Sequence, residues 1–141
     1  MTDKKFKILA EFISDLSSET KDVETYIFVK DFISKYNLGI DIRSKALKDK
    51  IIEVSTNFKF EDKSENPRKS YFEMTYSTII KIEEEQKDKK ELEKIILCDV
   101  QNEIYPRMEK AFVSLIDNSG YKGIKFDKKI DFEKLYLQRN N

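Results

Sequence analysis

The chain has 141 residues, and 27 lysines and arginines balance 27 aspartates and glutamates, for a formal net charge of zero. That length suits one domain with a core of its own, and the neutral balance gives no electrostatic argument for nucleic acid or an acidic membrane as partner. Histidine is absent, which excludes Ser-His-Asp and Cys-His catalysis and any zinc site that needs an imidazole.

In chain order, Met1-Thr2-Asp3-Lys4-Lys5-Phe6-Lys7 runs directly into a mixed segment carrying Glu11 and Asp15. No apolar stretch follows the basic residues, so a secretory signal is not expected. Ile8, Leu9, Phe12, Ile13 and Leu16 recur at helical spacing, and local pattern alone predicts a helix there. Leu38, Ile40 and Ile42 alternate as in a strand, with a connection over Ser44 to Lys50. Ile51 to Glu61 is the clearest strand. Ile52, Val54, Thr56, Phe58 and Phe60 point one way, and Glu53, Ser55, Asn57, Lys59 and Glu61 the other. The polar run Asp62 to Arg68 predicts a turn. Lys69 to Ile82 reads as the antiparallel partner, with Phe72, Met74, Tyr76, Ile80 and Ile82 on one face. Its other face carries Tyr71, Glu73, Thr75, Ser77 and Ile79, so both faces offer packing surface.

After a charged linker over Glu83 to Lys90 the period lengthens. Leu92, Ile95, Ile96, Val100, Ile104, Met108, Ala111, Phe112, Leu115 and Ile116 recur three or four residues apart, the mark of an amphipathic helix. Pro106 lies inside it, removes a backbone donor and disfavours helical geometry at Tyr105, which predicts a kink or a break. Asn118-Ser119-Gly120 supplies a glycine cap. A short last helix starts near Asp131, with Phe132, Leu135 and Tyr136 on one side.

Little chemistry is encoded. Gly39, Gly120 and Gly123 form no phosphate-cradling loop, and Cys98, the single cysteine, reads as a small buried apolar residue in a reducing compartment. No uncharged apolar stretch is long enough for an ordinary transmembrane helix. Charged residues make up 38% and aromatic residues 12%, which together predict a thin core of large rings, completed by self-association.

Six short runs carry a family resemblance. Asp15-Leu16-Ser17-Ser18-Glu19 is similar to a D-(I/L)-S-x-E run, Lys30-Asp31-Phe32 to K-D-W, and Ile52-Glu53-Val54 to Y-E-V. Phe72-Glu73 followed by Ile79, Ile80 and Ile82 fits the matching fourth strand without a gap. Asn102-Glu103-Ile104-Tyr105-Pro106 is similar to N-x-L-(F/Y)-P, and Asp131-Phe132-Glu133-Lys134-Leu135-Tyr136 to N-F-(D/E)-x-L-(F/Y). In this order, across nearly the whole chain, they resemble the SecB family of export chaperones. Three features depart from the family pattern: the neutral net charge, where the family is acidic, Arg107-Met108-Glu109-Lys110 in place of Y-A-R-E, and a polar C-terminal extension that is expected to be nearly absent.

The resemblance makes the first segment a strand. It implies one α+β domain over residues 1–141: a four-stranded antiparallel sheet, then a long kinked helix and a short C-terminal helix. It also implies a cytoplasmic chaperone, not an enzyme, that binds unfolded preproteins in apolar grooves and passes them to the motor ATPase SecA. The assembly implied is a homotetramer, a dimer of dimers, with no cofactor, metal or nucleic acid and no membrane insertion. The client groove would run between the sheet and the segment leading into the long helix. Phe32, Tyr36, Leu38 and Ile40 match its lining, although periodicity alone makes Leu38 and Ile40 ordinary core. Asp15, Glu19, Tyr71 and Glu73 match the SecA-docking face, and Phe72, Met74 and Tyr76 match positions that affect assembly. Two other readings stand beside this one: a specialised chaperone for one partner such as an antitoxin, and an oligomeric scaffold or apolar-ligand binder.

Overall fold

In the computed structural model, which describes residues 5–83, 89–126 and 130–139, the first apolar segment is a strand, β1 (Phe6–Thr20). Its helical spacing has a physical origin. β1 pairs antiparallel with β4 (Ser70–Ile82), and its register shifts between Ile8 and Ala10 and again between Ile13 and Asp15. Each bulge inserts one residue and exchanges the faces that alternate side chains occupy, so apolar positions no longer recur at two.

A helix absent from the expected elements follows: α1 (Val23–Phe32), extended by one 3₁₀ turn over Ile33–Lys35. Asp22 caps it, its Oδ1 accepting the Thr25 N–H at 2.8 Å, and Glu24 and Lys30 complement the helix dipole. Thr25 and Val29 are its buried residues, too few to leave a readable apolar stripe.

β2 (Asn37–Ala46) and β3 (Ile51–Glu61) complete a sheet of order β1-β4-β3-β2. On its inner face Ile52, Val54, Thr56, Phe58 and Phe60 lie opposite Ile80, Thr78, Tyr76, Met74 and Phe72. Helices cover that face. α2 (Lys89–Lys94), a π-helical turn (Ile95–Asp99) and α3 (Val100–Asn118) follow one another. Most of the expected charged linker, residues 84–88, lies outside the described residues.

The helix does not break at Pro106. Pro106 and Asn102 are both exposed, so the carbonyl that proline leaves unpaired is on the solvent side, where water can satisfy it. The departure from α geometry lies upstream, in the π turn, where Ile95, Ile96, Leu97 and Cys98 are all buried. Four consecutive residues cannot share one helix face. This turn packs near α4 (Phe132–Arg139), whose Leu135 and Tyr136 line a small hollow together with Leu97 of the turn and Ile40 and Ile42 of β2.

Aromatic contacts fix α3 against the sheet. Phe112 meets Phe58 edge-on with ring centroids 5.6 Å apart, and Tyr105 lies 5.7 Å from Phe132 of α4. Gln101, fully buried, donates from Nε2 to Thr56 Oγ1 at 2.8 Å. At the sheet edge Arg107 donates through Nε and Nη2 to both carboxylate oxygens of Glu11, at 2.8 and 2.7 Å, while Tyr76 donates its hydroxyl to Glu11 Oε1 at 2.8 Å.

Candidate functional site

The chain segment that leaves α3 builds a groove against the sheet. Gly120, at φ 100°, turns the chain after Asn118. Tyr121 then anchors it, its hydroxyl 2.7 Å from Ser70 Oγ and 3.2 Å from Thr20 Oγ1. Ile124 and Phe126 follow, and Phe126 meets Phe60 edge-on at 5.5 Å. Between this segment and β2 lies an open groove of about 920 Å³. Tyr36, Leu38 and Ile40 line one wall, Ile124, Phe126 and Ile130 the other, and Leu135 of α4 one end. The Tyr36 hydroxyl accepts the Ser70 N–H at 2.9 Å, and burial pushes its pKa up, so the ring stays neutral.

Three of the four expected groove residues are therefore together. The fourth, Phe32, is not in this groove. It stacks on Phe28 at 4.6 Å and borders a smaller hollow with Lys35, Asn37 and Asp62. The far wall of this groove comes from the segment after the long helix; residues 84–88, in the segment expected to form that wall, lie outside the described residues. Ile124 and Phe126 alternate in the sequence, and that pattern was the available signal for the wall.

Ser34, Asn37 and Lys125, with the Tyr36 hydroxyl, are the polar side chains among an otherwise apolar lining. Such a surface can take extended apolar chain of many sequences. Cys98 is fully buried in the core, with its thiol pKa raised chiefly by burial.

The outer face of the sheet carries the side chains turned away from the helices. Reading across β1 and β4 from one end to the other, it presents Lys7 beside Lys81, Ala10 beside Ile79, Phe12 beside Ser77, Asp15 beside Thr75, Ser17 beside Glu73, and Glu19 beside Tyr71. Asp15, Glu19, Tyr71 and Glu73 thus share one end of one face. Glu73 is fixed there: the Tyr71 hydroxyl donates to Oε1, and Asn57 Nδ2 donates to Oε2 at 2.7 Å. These bonds hold the Glu73 carboxyl below its usual range, and the same bond to Glu73, with burial, pushes the Tyr71 phenol up to about 12.

Phe72 and Met74 lie on the opposite face and are completely buried beneath the helices, so neither presents surface to a second copy. Tyr76 is nearly as buried and is engaged with Glu11. Exposed apolar surface lies instead on β1, where Leu9, Phe12, Ile13 and Leu16 are 42–47% exposed on the outermost strand. Among the described residues no helix is long and apolar enough to cross a membrane.

A family model described as preprotein translocase subunit SecB matches residues 1–141. A putative protein-export protein SecB from Pelagibacter ubique is 58% identical over 138 residues, which cover 98% of this chain and 99% of that protein. Among solved structures, a SecB-like chaperone from Mycobacterium tuberculosis, in complex with a ChAD peptide from an antitoxin, superposes with a TM-score of 0.63 at 10% identity, covering 89% of this chain and 91% of that one. A Streptococcus agalactiae protein of unknown function superposes with a TM-score of 0.52 at 8% identity, covering 90% of this chain and all of the other.

Proposed function

Because the chain belongs to the SecB family, as a chaperone of protein export and not an enzyme, we propose that it holds unfolded precursor proteins in the groove between β2 and the segment leaving α3, and passes them to SecA. The observation that carries this reading is the groove itself. Its walls are mostly aliphatic and aromatic and it opens to solvent, which is the surface a binder of many unfolded sequences needs. No nucleotide enters the cycle; release comes from the motor taking the client. A single cysteine without a disulfide partner accords with work in the cytoplasm.

On this reading the acidic end of the outer sheet face, with Asp15, Glu19, Tyr71 and Glu73, receives SecA. Four chains assemble as a dimer of dimers, and the exposed apolar edge of β1 is the natural surface for that assembly. Phe72 and Met74 act on assembly only indirectly, by shaping the strand that pairs with β1. Four grooves along one extended client add individually weak contacts into useful avidity.

The test is light scattering on a sizing column after a urea-unfolded precursor is diluted into the protein. The parent chain retains the unfolded precursor and ignores a folded control. Leu38→Glu and Ile40→Glu lose the precursor while the assembly mass stays unchanged. Variants that retain it as the parent does would remove the groove from the account. A specialised chaperone is the second reading, favoured by the antitoxin peptide on the M. tuberculosis structure. Retention of several unrelated unfolded chains argues against it, and retention of one alone supports it.

A further inference from the structure

The zero net charge conceals a separation of charge along the strands. At one end of the sheet Lys7 and Lys81 are direct cross-strand neighbours, with Ile51 of β3 on the other side of Lys81. Like charges so placed repel. The same end holds the β2–β3 turn, closed by Leu47 N–H to the Ile51 carbonyl at 2.8 Å and tied to β4 by Ile82 N–H to the Lys50 carbonyl at 3.0 Å. The turn therefore brings Lys50, with Lys48 in the same turn, to the end of β4 that carries Lys81, Lys45 stands on β2 opposite Glu53, and Glu83 N–H to the Lys5 carbonyl at 2.9 Å adds Lys5. Among the described residues, Asp49, Glu53 and Glu83 are carboxylates interspersed there, and Asp99 faces Lys5 and Lys94. None of Lys5, Lys7, Lys45, Lys48, Lys50 and Lys81 is ion-paired with a described carboxylate. At the tip, among lysines, stands Leu47, 46% exposed.

We propose that this basic pole seats on an anionic lipid bilayer, with Leu47 entering the headgroup region and the lysines engaging lipid phosphates. The side-chain chemistry selects the bilayer over nucleic acid. Lysines flanking an aliphatic tip suit an anionic interface, where their stems lie along apolar surface and their ammonium groups reach phosphate. Arg43, the arginine next to Lys45 on β2, is paired with Asp41 at 3.0 Å, and residues 45–51 include no aromatic ring on which a base could stack. Contact is peripheral. Its electrostatic part gives about fivefold in partitioning per lysine, so it is reversible and adds to whatever membrane-bound protein the chaperone meets. This inference does not depend on the export reading.

The full chain is tested by co-sedimentation with vesicles of phosphatidylcholine alone and of phosphatidylcholine mixed with phosphatidylglycerol. Binding is expected to the mixed vesicles at low salt, to weaken at about 0.15 M salt, and to be absent from phosphatidylcholine. Lys7→Glu, Lys45→Glu, Lys48→Glu and Lys81→Glu together reduce it by about a hundredfold or more, with an unchanged urea midpoint as the folding control. Reversing four lysines at the opposite end, Lys21, Lys63, Lys69 and Lys122, changes net charge equally and leaves vesicle binding in place. Leu47→Ser weakens binding severalfold. The proposal fails if the mixed vesicles do not retain the chain at low salt, or if the two quadruple variants behave alike. It fails equally if a single-stranded RNA of random sequence displaces the chain from vesicles and binds Leu47→Ser as well as the parent.

Discussion

Glu11 accepts three side-chain hydrogen bonds, two from Arg107 and one from Tyr76. Burial raises its carboxyl pKa, but hydrogen bonds from Arg107 and Tyr76, with the charge of Arg107, outweigh that and set it below the ordinary 4.5. The pair is partly exposed, with Arg107 at 49% and Glu11 at 19%, so its contribution lies near the upper end for surface pairs, about 1 kcal/mol. Glu11→Gln should lower the urea midpoint at pH 7 accordingly. A carboxylate with a depressed folded pKa stabilises above its unfolded pKa and loses that contribution as pH falls through the folded one. The gap between parent and variant should therefore close in acid, and a gap that persists at low pH would mean the contact acts through packing. Arg107 stands where the chain departs from its family's pattern, and periodicity gave no sign of it, because a charge pair across 96 residues leaves no local trace.

Elements were legible in proportion to how regularly they bury one face. β3 and β4 keep strict alternation over an unbroken ladder and could be read directly. The amphipathic stripe of α3 likewise appears in the spacing of Ile104, Met108, Phe112 and Ile116. β1 deceived because its bulges reset the phase, and α1 was invisible because its stability comes from a cap and two buried residues. The groove was half legible for a similar reason. Its β2 wall follows a strand pattern, whereas its far wall is irregular chain held by Tyr121 and Gly120. That corner gives an element-scale prediction. A Cβ at Gly120 would sit 2.8 Å from the Tyr26 ring at a φ of +100°. The ring cannot simply yield, since its hydroxyl donates to the Gly120 carbonyl at 2.8 Å. Gly120→Ala should cost about 2 kcal/mol or more, read as a lower urea midpoint at constant slope, with weaker client retention because the groove wall is released.

At the scale of the molecule, charge and apolar surface are sorted by region. If β1 is the assembly edge, Phe12→Lys with Leu16→Lys should reduce the scattering mass from near four times 16.8 kDa to that of one or two chains. An unchanged mass would move the interface elsewhere. If the acidic end of the outer face receives SecA, affinity should fall steeply with added salt and fall severalfold in Asp15→Asn with Glu73→Gln. Equal affinity at low and high salt would remove that role. Composition could not reveal this arrangement, because a sum of zero is indifferent to where the charges stand.

The bulges of β1 also bear on which changes of length the chain can accept. Leu9 and Ser14 oppose no residue of β4, so each is a spare unit in an otherwise matched ladder. Deleting Leu9 leaves every pairing of β1 in place on both sides of the gap and should yield a folded protein of nearly parental stability. β3 has no such slack, being paired without interruption to β2 and β4. Deleting Asn57 would exchange Phe58 and Phe60 with Lys59 and Glu61, and the product should not fold. Insertions and deletions among natural relatives should accordingly collect in the first strand, which can lose a residue without losing its register.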